Sequence, residues 1–219
     1  MTYTVEKIIA VLKAKGYAVF EDDSKNYNLN IVGIRSANNV PNAFDDLFTV
    51  FWKFKGEWHL RAFPCTTDPG LYWLKNPMQT LGTAIVKEGQ YRGVWQIGLH
   101  QGKYKALCQR KPIIIIRDFD RDGELDFNSG RETTGIYGIN GHRANENGKS
   151  IFVDKWSAGC QVLQNREIFN PDNQAVKCFE FDYLMSLCDK SAAIWGNSFT
   201  YTLINEKDFK DSNTKADTI

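Results

Sequence analysis

The sequence predicts a mainly β fold of the α+β class, with one short helix near its start and another near its end. Many short runs of β-branched and aromatic residues are separated by Gly, Pro, Asn and Asp, which is typical of strands joined by turns. Helical spacing of apolar residues occurs only near the two ends of the chain. With 219 residues, 42% of them hydrophobic, the chain has enough material for one domain with a sizeable core.

The two predicted helices rest on apolar periodicity. Apolar residues recur at helical spacing from Val5 to Leu12, and Gly16 follows as a stop signal. These features predict an amphipathic helix over residues 3–15. A second set of apolar residues at helical spacing predicts a C-terminal helix over about residues 175–190.

Between these helices the sequence has the pattern of β structure, and one more strand follows the second helix. The four isoleucines after Pro112 lack alternation with polar residues, which predicts a central strand covered on both faces. The predicted strands have the sequences YAVF, NLNIVGI, DLFTVFWKF, WHLRAF, TAIVKEGQYRGVWQIGL, KPIIIIRDF and FTYTLI.

The chain is predicted to consist of three segments. Residues 1–35 form a helix–strand element packed on the core, residues 36–205 form the main domain, and residues 206–219 form a flexible tail. No apolar run approaches the roughly 18 residues that a membrane-spanning helix needs. The first residues mix charges into their apolar stretch, unlike a signal peptide. We therefore expect synthesis in the cytoplasm and no membrane insertion.

Charge and cysteine content argue against two further classes of protein. Lys and Arg total 27 against 26 Asp and Glu, and this net charge of +1 gives no electrostatic basis for a nucleic-acid partner. The chain has five cysteines and no secretory signal, so a disulfide framework is not expected. Because the number is odd, at least one thiol must be free.

An acidic loop follows the isoleucine-rich run. Its carboxylates lie on alternate residues around a glycine, an arrangement suited to a hard cation such as Ca²⁺. An EF-hand would have Glu at the twelfth position, where this chain has Ser129, so that type of site is excluded. A solvated Asp–Gly turn whose side chains accept backbone hydrogen bonds is the alternative, and both interpretations stay open. The candidate ligands of a structural Ca²⁺ are Asp118, Asp120, Asp122, Glu124 and Asp126.

The segments GINGHRAN and WSAGCQV contain the most informative residues of the chain. A thiol becomes a nucleophile as the thiolate, and a nearby imidazole accepts its proton, so Cys160 and His142 are a candidate catalytic pair. The small residues that precede Cys160 let a substrate carbonyl approach and leave backbone N–H groups for an oxyanion hole. The alternative is one more buried thiol and a turn histidine with satisfied hydrogen bonds.

The spacing of these residues resembles the active-site signature of the L,D-transpeptidase (YkuD-type) catalytic domain family. In that signature a His precedes Ser or Thr, any residue, Gly and the nucleophilic Cys. Here fourteen residues separate His142 from Ser157, and Gly159 and Cys160 follow in register. The sequence departs from the family at Ala158, where His is common. The resemblance implies a transpeptidase-like β-sandwich or barrel for the main domain.

The resemblance also implies a mechanism on peptidoglycan stem peptides that needs no cofactor. Cys160 would attack the carbonyl of an L,D peptide bond, and His142 would act as base and then as acid. The resulting thioester would pass to water or to an amine of a neighbouring stem. The backbone N–H groups of Gly159 and Cys160 would form the oxyanion hole, and Ser157 would steady the imidazole or the thiolate.

Further residues are candidates for substrate binding. Gln161 and Val162 stand where the family has an apolar residue and then Asn or Arg, which bears on substrate positioning and on the choice of acyl acceptor. The structural alternatives are a turn residue for His100, a core aromatic for Trp156 and a surface charge for Arg143. The substrate-binding candidates are Arg143, Trp156, Gln161, His100 and Tyr137.

Across about residues 45–165 the pattern also resembles phage and prophage proteins of this class. That likeness implies an endolysin-like cysteine L,D-peptidase, which acts on the cell wall during phage lysis or as a virion component. Three alternatives remain: a transpeptidase that forms crosslinks, a cysteine peptidase acting on protein, and a non-catalytic, calcium-stabilised protein of the wall or virion.

Overall fold

The computed structural model of the chain describes residues 2–38 and 40–210. The helices are α1 (Val5–Ala14), α2 (Leu71–Lys75) and α3 (Glu180–Trp195). The strands are β1 (Asn30–Arg35), β2 (Asp46–Phe54), β3 (Glu57–Thr66), β4 (Thr83–Val86), β5 (Gly89–His100), β6 (Tyr104–Gln109), β7 (Ile113–Asp118), β8 (Glu132–Gly135), β9 (Gly141–Arg143), β10 (Gln161–Leu163), β11 (Glu167–Asn170), β12 (Asn173–Phe179) and β13 (Phe199–Asn205).

Eight of these strands close into a barrel, in the order β1-β13-β5-β6-β9-β10-β3-β2. The pairs β1–β13 and β9–β10 are parallel, and the other barrel pairs are antiparallel. A three-stranded sheet, β4-β7-β8, and the hairpin β11-β12 complete the β structure. The prediction of a mainly β fold is therefore confirmed.

Stacked aromatic rings fill the interior of the barrel. The rings of Trp95 and Tyr201 lie 4.3 Å apart between their centroids, and Phe48 stacks on both. Glycine is required at Gly33 because a Cβ there would collide with the Tyr201 hydroxyl. Phe181 and Leu184 of α3 belong to the same buried cluster, so that helix packs on the core.

The N-terminal helix prediction is confirmed, since α1 begins after the capping residue Thr4 and packs its apolar side against the barrel. The strand of the predicted N-terminal element, β1, is part of the barrel, where it pairs with β13 and β2. Phe209 is buried in the cluster under α1, so the predicted tail does not begin at residue 206. The rest of that prediction, residues 211–219, lies outside the described residues.

The predicted C-terminal helix was wrong in its bounds. The first part of the segment forms β12, which pairs with β11, and α3 begins only at Glu180. Val176 is largely exposed, so its apparent helical spacing did not reflect burial. The chain turns into the helix where the Glu180 carboxylate accepts hydrogen bonds from the backbone and side chain of Arg166. Among the described helices, none has the length and apolarity needed to cross a bilayer.

Two other strand predictions changed in the structure. The isoleucine-rich strand β7 is almost fully buried, as expected, but it is the middle strand of the small sheet and not of the barrel. The YAVF segment forms no strand. Its backbone instead pairs with polar side chains: Gln90 bonds Ala18, and Asn30 bonds Phe20.

Candidate active site

The parallel pair β9–β10 puts the two predicted catalytic residues on adjacent chain segments, with Cys160 two residues before the partner of His142. In its register Gln161 lies opposite Gly141 and Val162 opposite His142. Cys160 is the last residue before β10, and its thiol is half-buried. Residues that are separate in sequence therefore lie on the two adjacent chain segments of the β9–β10 pair.

The turn that presents Cys160 is held by its own hydrogen bonds. The buried Ser157 hydroxyl donates to the Cys160 carbonyl at 2.8 Å and accepts from the Gly159 N–H at 3.1 Å. Gly159 has φ +121°, and a Cβ there would lie 2.6 Å from the Ala84 carbonyl oxygen. Only glycine fits this position without rearrangement.

These contacts correct two predicted roles. Ser157 bonds backbone groups and contacts neither the imidazole nor the thiol, so it is a residue that shapes the turn. The Gly159 N–H is occupied by the Ser157 hydroxyl and is not a free oxyanion donor. Within residues 2–38 and 40–210, the Cys160 N–H makes no hydrogen bond, so this group keeps its predicted role as a candidate donor.

The Cys160 thiol is held by the loop that leads into β9. Its sulfur accepts the Asn140 N–H and donates to the Gly138 carbonyl, both at 3.4 Å. Burial raises the pKa of Cys160 to about 11, although the Asn140 N–H favours the thiolate. At neutral pH the group is therefore a thiol.

The hydrogen bonds of His142 assign its tautomer. Its Nδ1 lies 2.8 Å from the Arg143 carbonyl oxygen, and a carbonyl only accepts, so Nδ1 carries the proton. The Tyr104 hydroxyl lies 3.2 Å from the same nitrogen and donates to the same carbonyl at 3.3 Å. Nε2 is buried and has no hydrogen-bond partner among the described residues. The ring thus keeps a free lone pair on Nε2.

A second histidine packs on this ring. His100 and His142 are stacked, with 4.1 Å between their ring centroids. His100 is only 8% exposed, and its Nδ1 accepts from the Asn140 side-chain amide at 3.0 Å. Burial and the neighbouring His100 lower the pKa of His142 to about 3. Burial, with Lys103 and Arg143 nearby, also lowers the pKa of His100.

The site therefore combines a neutral thiol with two neutral imidazoles. Within the part of the chain that the structure describes, no hydrogen bond joins the Cys160 sulfur to His142. Asn140 connects the thiol to the histidine stack: its backbone N–H bonds the Cys160 sulfur, and its side-chain amide bonds His100. A neutral imidazole with Nε2 free suits general-base removal of a thiol proton during attack, without a preformed ion pair.

Gln161 does not lie where a substrate-binding residue would. Its side chain is fully buried, its amide nitrogen donates to the carbonyls of Thr67 and Gly159, and its oxygen accepts from the Tyr201 hydroxyl at 2.5 Å. The prediction of a substrate contact was wrong, because the alternation of β10 directs this side chain into the barrel.

The other substrate-binding candidates lie in different surroundings. Arg143 stacks over Tyr104 at 4.1 Å and pairs with Glu146 at 2.9 Å, beside a groove of about 520 Å³ along α3. Trp156 is 44% exposed just before the Cys160 turn. His100 packs on His142, as described above, and is not an open surface residue.

Tyr137 lines a separate small pocket of about 120 Å³. Ala158, from the Cys160 turn, and Ile139, from the loop before β9, form part of its wall. Arg117 lies at 5.1 Å from the Tyr137 ring and lines the same pocket. Tyr137 is therefore positioned as a wall residue next to the thiol-bearing turn.

The acidic loop is organised by hydrogen bonds between its side chains and its backbone. Asp120 accepts the N–H of Asp122, Asp122 accepts that of Glu124, and Asp118 accepts that of Asp126. Burial raises the pKa of Asp118 to about 6. Across residues 2–38 and 40–210, no three or more His, Cys, Asp or Glu side chains are placed to hold a metal ion. The calcium site stays a prediction.

Sequence reasoning missed three residues that position the site. Asn140 lies in the GINGHRAN segment close to His142, but the sequence indicated no role for it. Tyr104 and Gln109 lie on β6, more than 30 residues before the histidine they support. The Gln109 side chain accepts the N–H groups of Tyr137 and Ile139 and so fixes the loop before β9. No local pattern indicates these contacts.

Comparison with protein-family models, with curated proteins and with solved structures gave no match for this chain.

Proposed function

We propose that this protein is a cysteine-dependent enzyme that cleaves L,D peptide bonds in peptidoglycan stem peptides, and that its barrel is an L,D-transpeptidase-like domain. The observation that carries the proposal is the arrangement of Cys160 and His142. The register of β9–β10 puts Cys160 two residues before the partner of His142, and the Arg143 carbonyl accepts from Nδ1, so that Nε2 is free. The His-to-Cys spacing, which resembles the family signature, supports the same conclusion.

In the first half of the reaction the Cys160 sulfur attacks the carbonyl carbon of the scissile bond. The thiol proton passes to Nε2 of His142, and the Cys160 N–H donates to the developing oxyanion. The C–N bond then breaks, and the imidazolium gives its proton to the leaving amine. A thioester on Cys160 remains.

In the second half a water molecule replaces the amine. Nε2 of His142 removes a proton from this water as it attacks the thioester, and the C–S bond breaks. The proton returns to the sulfur, which restores the neutral thiol. If an amine of another stem peptide takes the place of water, the same steps form a crosslink, and the enzyme is a transpeptidase.

The resting contacts of the thiol define what must change before attack. The sulfur donates to the Gly138 carbonyl at 3.4 Å, and it must exchange this partner for His142 Nε2. Because burial disfavours both the thiolate and the imidazolium, proton transfer accompanies attack instead of preceding it. In this proposal the thiol changes its hydrogen-bond partner from the Gly138 carbonyl to His142 Nε2 when the substrate binds and shields the site from water.

The setting of the reaction follows from the resemblance to phage proteins. We propose that the protein is made in the cytoplasm and meets the cell wall during phage lysis or as part of a virion. A structural Ca²⁺ at the acidic loop remains an optional part of the proposal, because the reaction needs no metal.

The test is product analysis with defined muropeptides. Purified protein is incubated with a stem tetrapeptide and with a crosslinked dimer, with Ca²⁺ and with a chelator, and the products are identified by mass spectrometry. We expect loss of the terminal D-Ala or splitting of the dimer. Cys160→Ala should abolish either reaction, whereas Cys178→Ala, a half-buried cysteine on β12, should not.

Other results would redirect the proposal. Dimers gained from monomers would identify a transpeptidase, and Cys160-dependent cleavage of casein without murein products would identify a peptidase acting on protein. No product under any of these conditions would contradict the enzyme proposal and favour a non-catalytic protein of the wall or virion.

A further inference from the structure

The pocket beside the Cys160 turn is lined by a buried arginine that forms no ion pair among the residues that the structure describes. Arg117, on β7, is 6% exposed and lines the pocket of about 120 Å³ that Tyr137 and Ala158 also line. Its Nη1 donates to the Gly82 carbonyl at 3.0 Å. Its Nε is buried without a hydrogen-bond partner, and none of the ion pairs within residues 2–38 and 40–210 includes Arg117.

The other buried arginine, Arg35, differs from Arg117 because its guanidinium has both a carboxylate partner and several hydrogen bonds. Arg35 pairs with Asp68 at 2.9 Å and bonds Thr67 and the Val86 carbonyl. A buried charge without such a partner destabilises the fold unless a ligand compensates it. Arg117 therefore points to an anionic group that enters the pocket.

The free edge of the guanidinium defines the chemistry of that group. Nη1 bonds Gly82, and Nε is covered but has no hydrogen-bond partner, so the edge formed by Nε and Nη2 is the one whose donors a ligand would satisfy. Two parallel N–H donors match the two oxygens of a carboxylate. The Tyr137 ring, 5.1 Å from the guanidinium carbon, holds the plane of the group, and the pocket volume suits a carboxylate on a short arm.

The pocket is next to the proposed nucleophile. Ile139 lies between Gly138 and Asn140, the two residues whose backbone groups bond the Cys160 sulfur. Ala158 belongs to the turn that carries the cysteine. A carboxylate held by Arg117 would thus belong to a residue close to the bond under attack.

We infer that Arg117 and Tyr137 form a carboxylate-binding subsite that anchors a free carboxylate of the acyl-donor peptide next to Cys160. The inference rests on the proposed function for its substrate, a stem peptide. Two carboxylates of that peptide have the required chemistry: the side-chain carboxylate of diaminopimelate and the terminal carboxylate of D-Ala.

The test measures binding instead of turnover, in the Cys160→Ala background. Calorimetry compares the free tetrapeptide with two analogues in which one or the other carboxylate is an amide, and acetate serves as a simple carboxylate probe. We expect one of the two amides to bind roughly tenfold to a hundredfold more weakly than the acid. Arg117→Gln should remove the difference between acid and amide, and Arg117→Lys, without the two-donor edge, should keep only part of it.

Two surface variants provide a test that does not depend on correct folding of the Arg117 variants. Met78 lines the pocket and is 72% exposed, so Met78→Glu places a negative charge at its mouth without disturbing the core. Leu81, in the same loop, is 55% exposed and does not line the pocket. Met78→Glu should weaken binding of the acid severalfold, whereas Leu81→Glu should leave it unchanged.

The outcomes separate this inference from the proposed function. If Arg117→Gln still distinguishes acid from amide while the wild-type protein cleaves muropeptides, the subsite is wrong and the function stands. If acetate binds in an Arg117-dependent manner but the stem peptide neither binds nor is cleaved, the carboxylate site stands and the murein substrate is wrong. Absence of both acetate and peptide binding overturns the subsite.

Discussion

The imidazoles of His100 and His142 stack with their centroids 4.1 Å apart and their planes inclined by 22°. A proton on the His142 ring would be both poorly solvated and close to His100, so burial and His100 lower the tendency of His142 to become charged. The pKa of His142 falls to about 3, chiefly through burial and then through His100. Burial, with a smaller contribution from this stack, therefore favours a neutral imidazole at neutral pH.

We expect His142 to make stability depend on pH. Its pKa is about 6.5 in the unfolded chain and about 3 in the folded protein, so the unfolded state binds the proton first as the pH falls. The stabilisation is complete above about pH 6.5 and is lost toward pH 3, at about 1.4 kcal/mol per pH unit between these values. Urea unfolding of the wild type and of His142→Gln over this range measures the effect.

The comparison between the two proteins isolates this one group. Burial raises the pKa of Asp46 to about 7, which stabilises the protein as the pH falls and opposes the histidine effect. Both proteins share that contribution, so it cancels in their difference. If the free energies of unfolding of wild type and His142→Gln differ by the same amount from neutral to acidic pH, the pKa of His142 is the same in the folded and unfolded states.

Alkylation of Cys160 should be slow at neutral pH. With a pKa of about 11, the thiolate fraction rises about tenfold for each pH unit between pH 7 and pH 10, and the rate of iodoacetamide labelling should follow it. Mass spectrometry of the labelled peptide gives the rate at each pH. His142→Gln should show the same profile, because the resting thiol bonds Gly138 instead of the imidazole. A plateau reached below pH 8 would instead indicate a preformed thiolate–imidazolium pair.

Gly159→Ala should destabilise the protein far more than Gly138→Ala. A Cβ at residue 159 meets the Ala84 carbonyl at 2.6 Å, whereas a Cβ at residue 138 meets nothing within 4 Å. Both glycines have positive φ, so both variants share a backbone cost of about 1–2 kcal/mol. We expect an additional loss of at least about 2 kcal/mol for Gly159→Ala in urea unfolding. Equal losses would mean that the turn relaxes away from β4.

Gln161 should behave as a structural residue and not as a substrate contact. Its oxygen accepts the Tyr201 hydroxyl inside the barrel, and its amide satisfies two carbonyls. Gln161→Ala and Tyr201→Phe should each reduce the free energy of unfolding by about 1–3 kcal/mol. The double variant should show a coupling energy of about 1 kcal/mol, as expected for residues in contact. A loss of muropeptide binding by Gln161→Ala at unchanged stability would restore the substrate role.

Local periodicity was sufficient for much of the fold. The spacing from Val5 to Leu12 predicted α1, and runs such as DLFTVFWKF predicted barrel strands, because burial on one face imposes a repeat that the sequence carries. Val176 shows the limit of this reasoning, since an exposed apolar residue fits a helical repeat by chance while its backbone pairs in β12. Pairing between strands is not local and leaves no repeat of its own.

For the candidate site, the sequence by itself indicated the candidate nucleophile, the candidate base and the glycine turn between them, since their types and spacing lie within one short segment. Only the tertiary structure decided what surrounds them. Strand pairing placed His100 against His142, turned Gln161 into the barrel and left the Arg117 Nε without a hydrogen-bond partner in a pocket that Ala158 also lines. These relationships depend on which strands become neighbours when the barrel closes, and contacts across such distances in sequence arise from the packing of the whole chain.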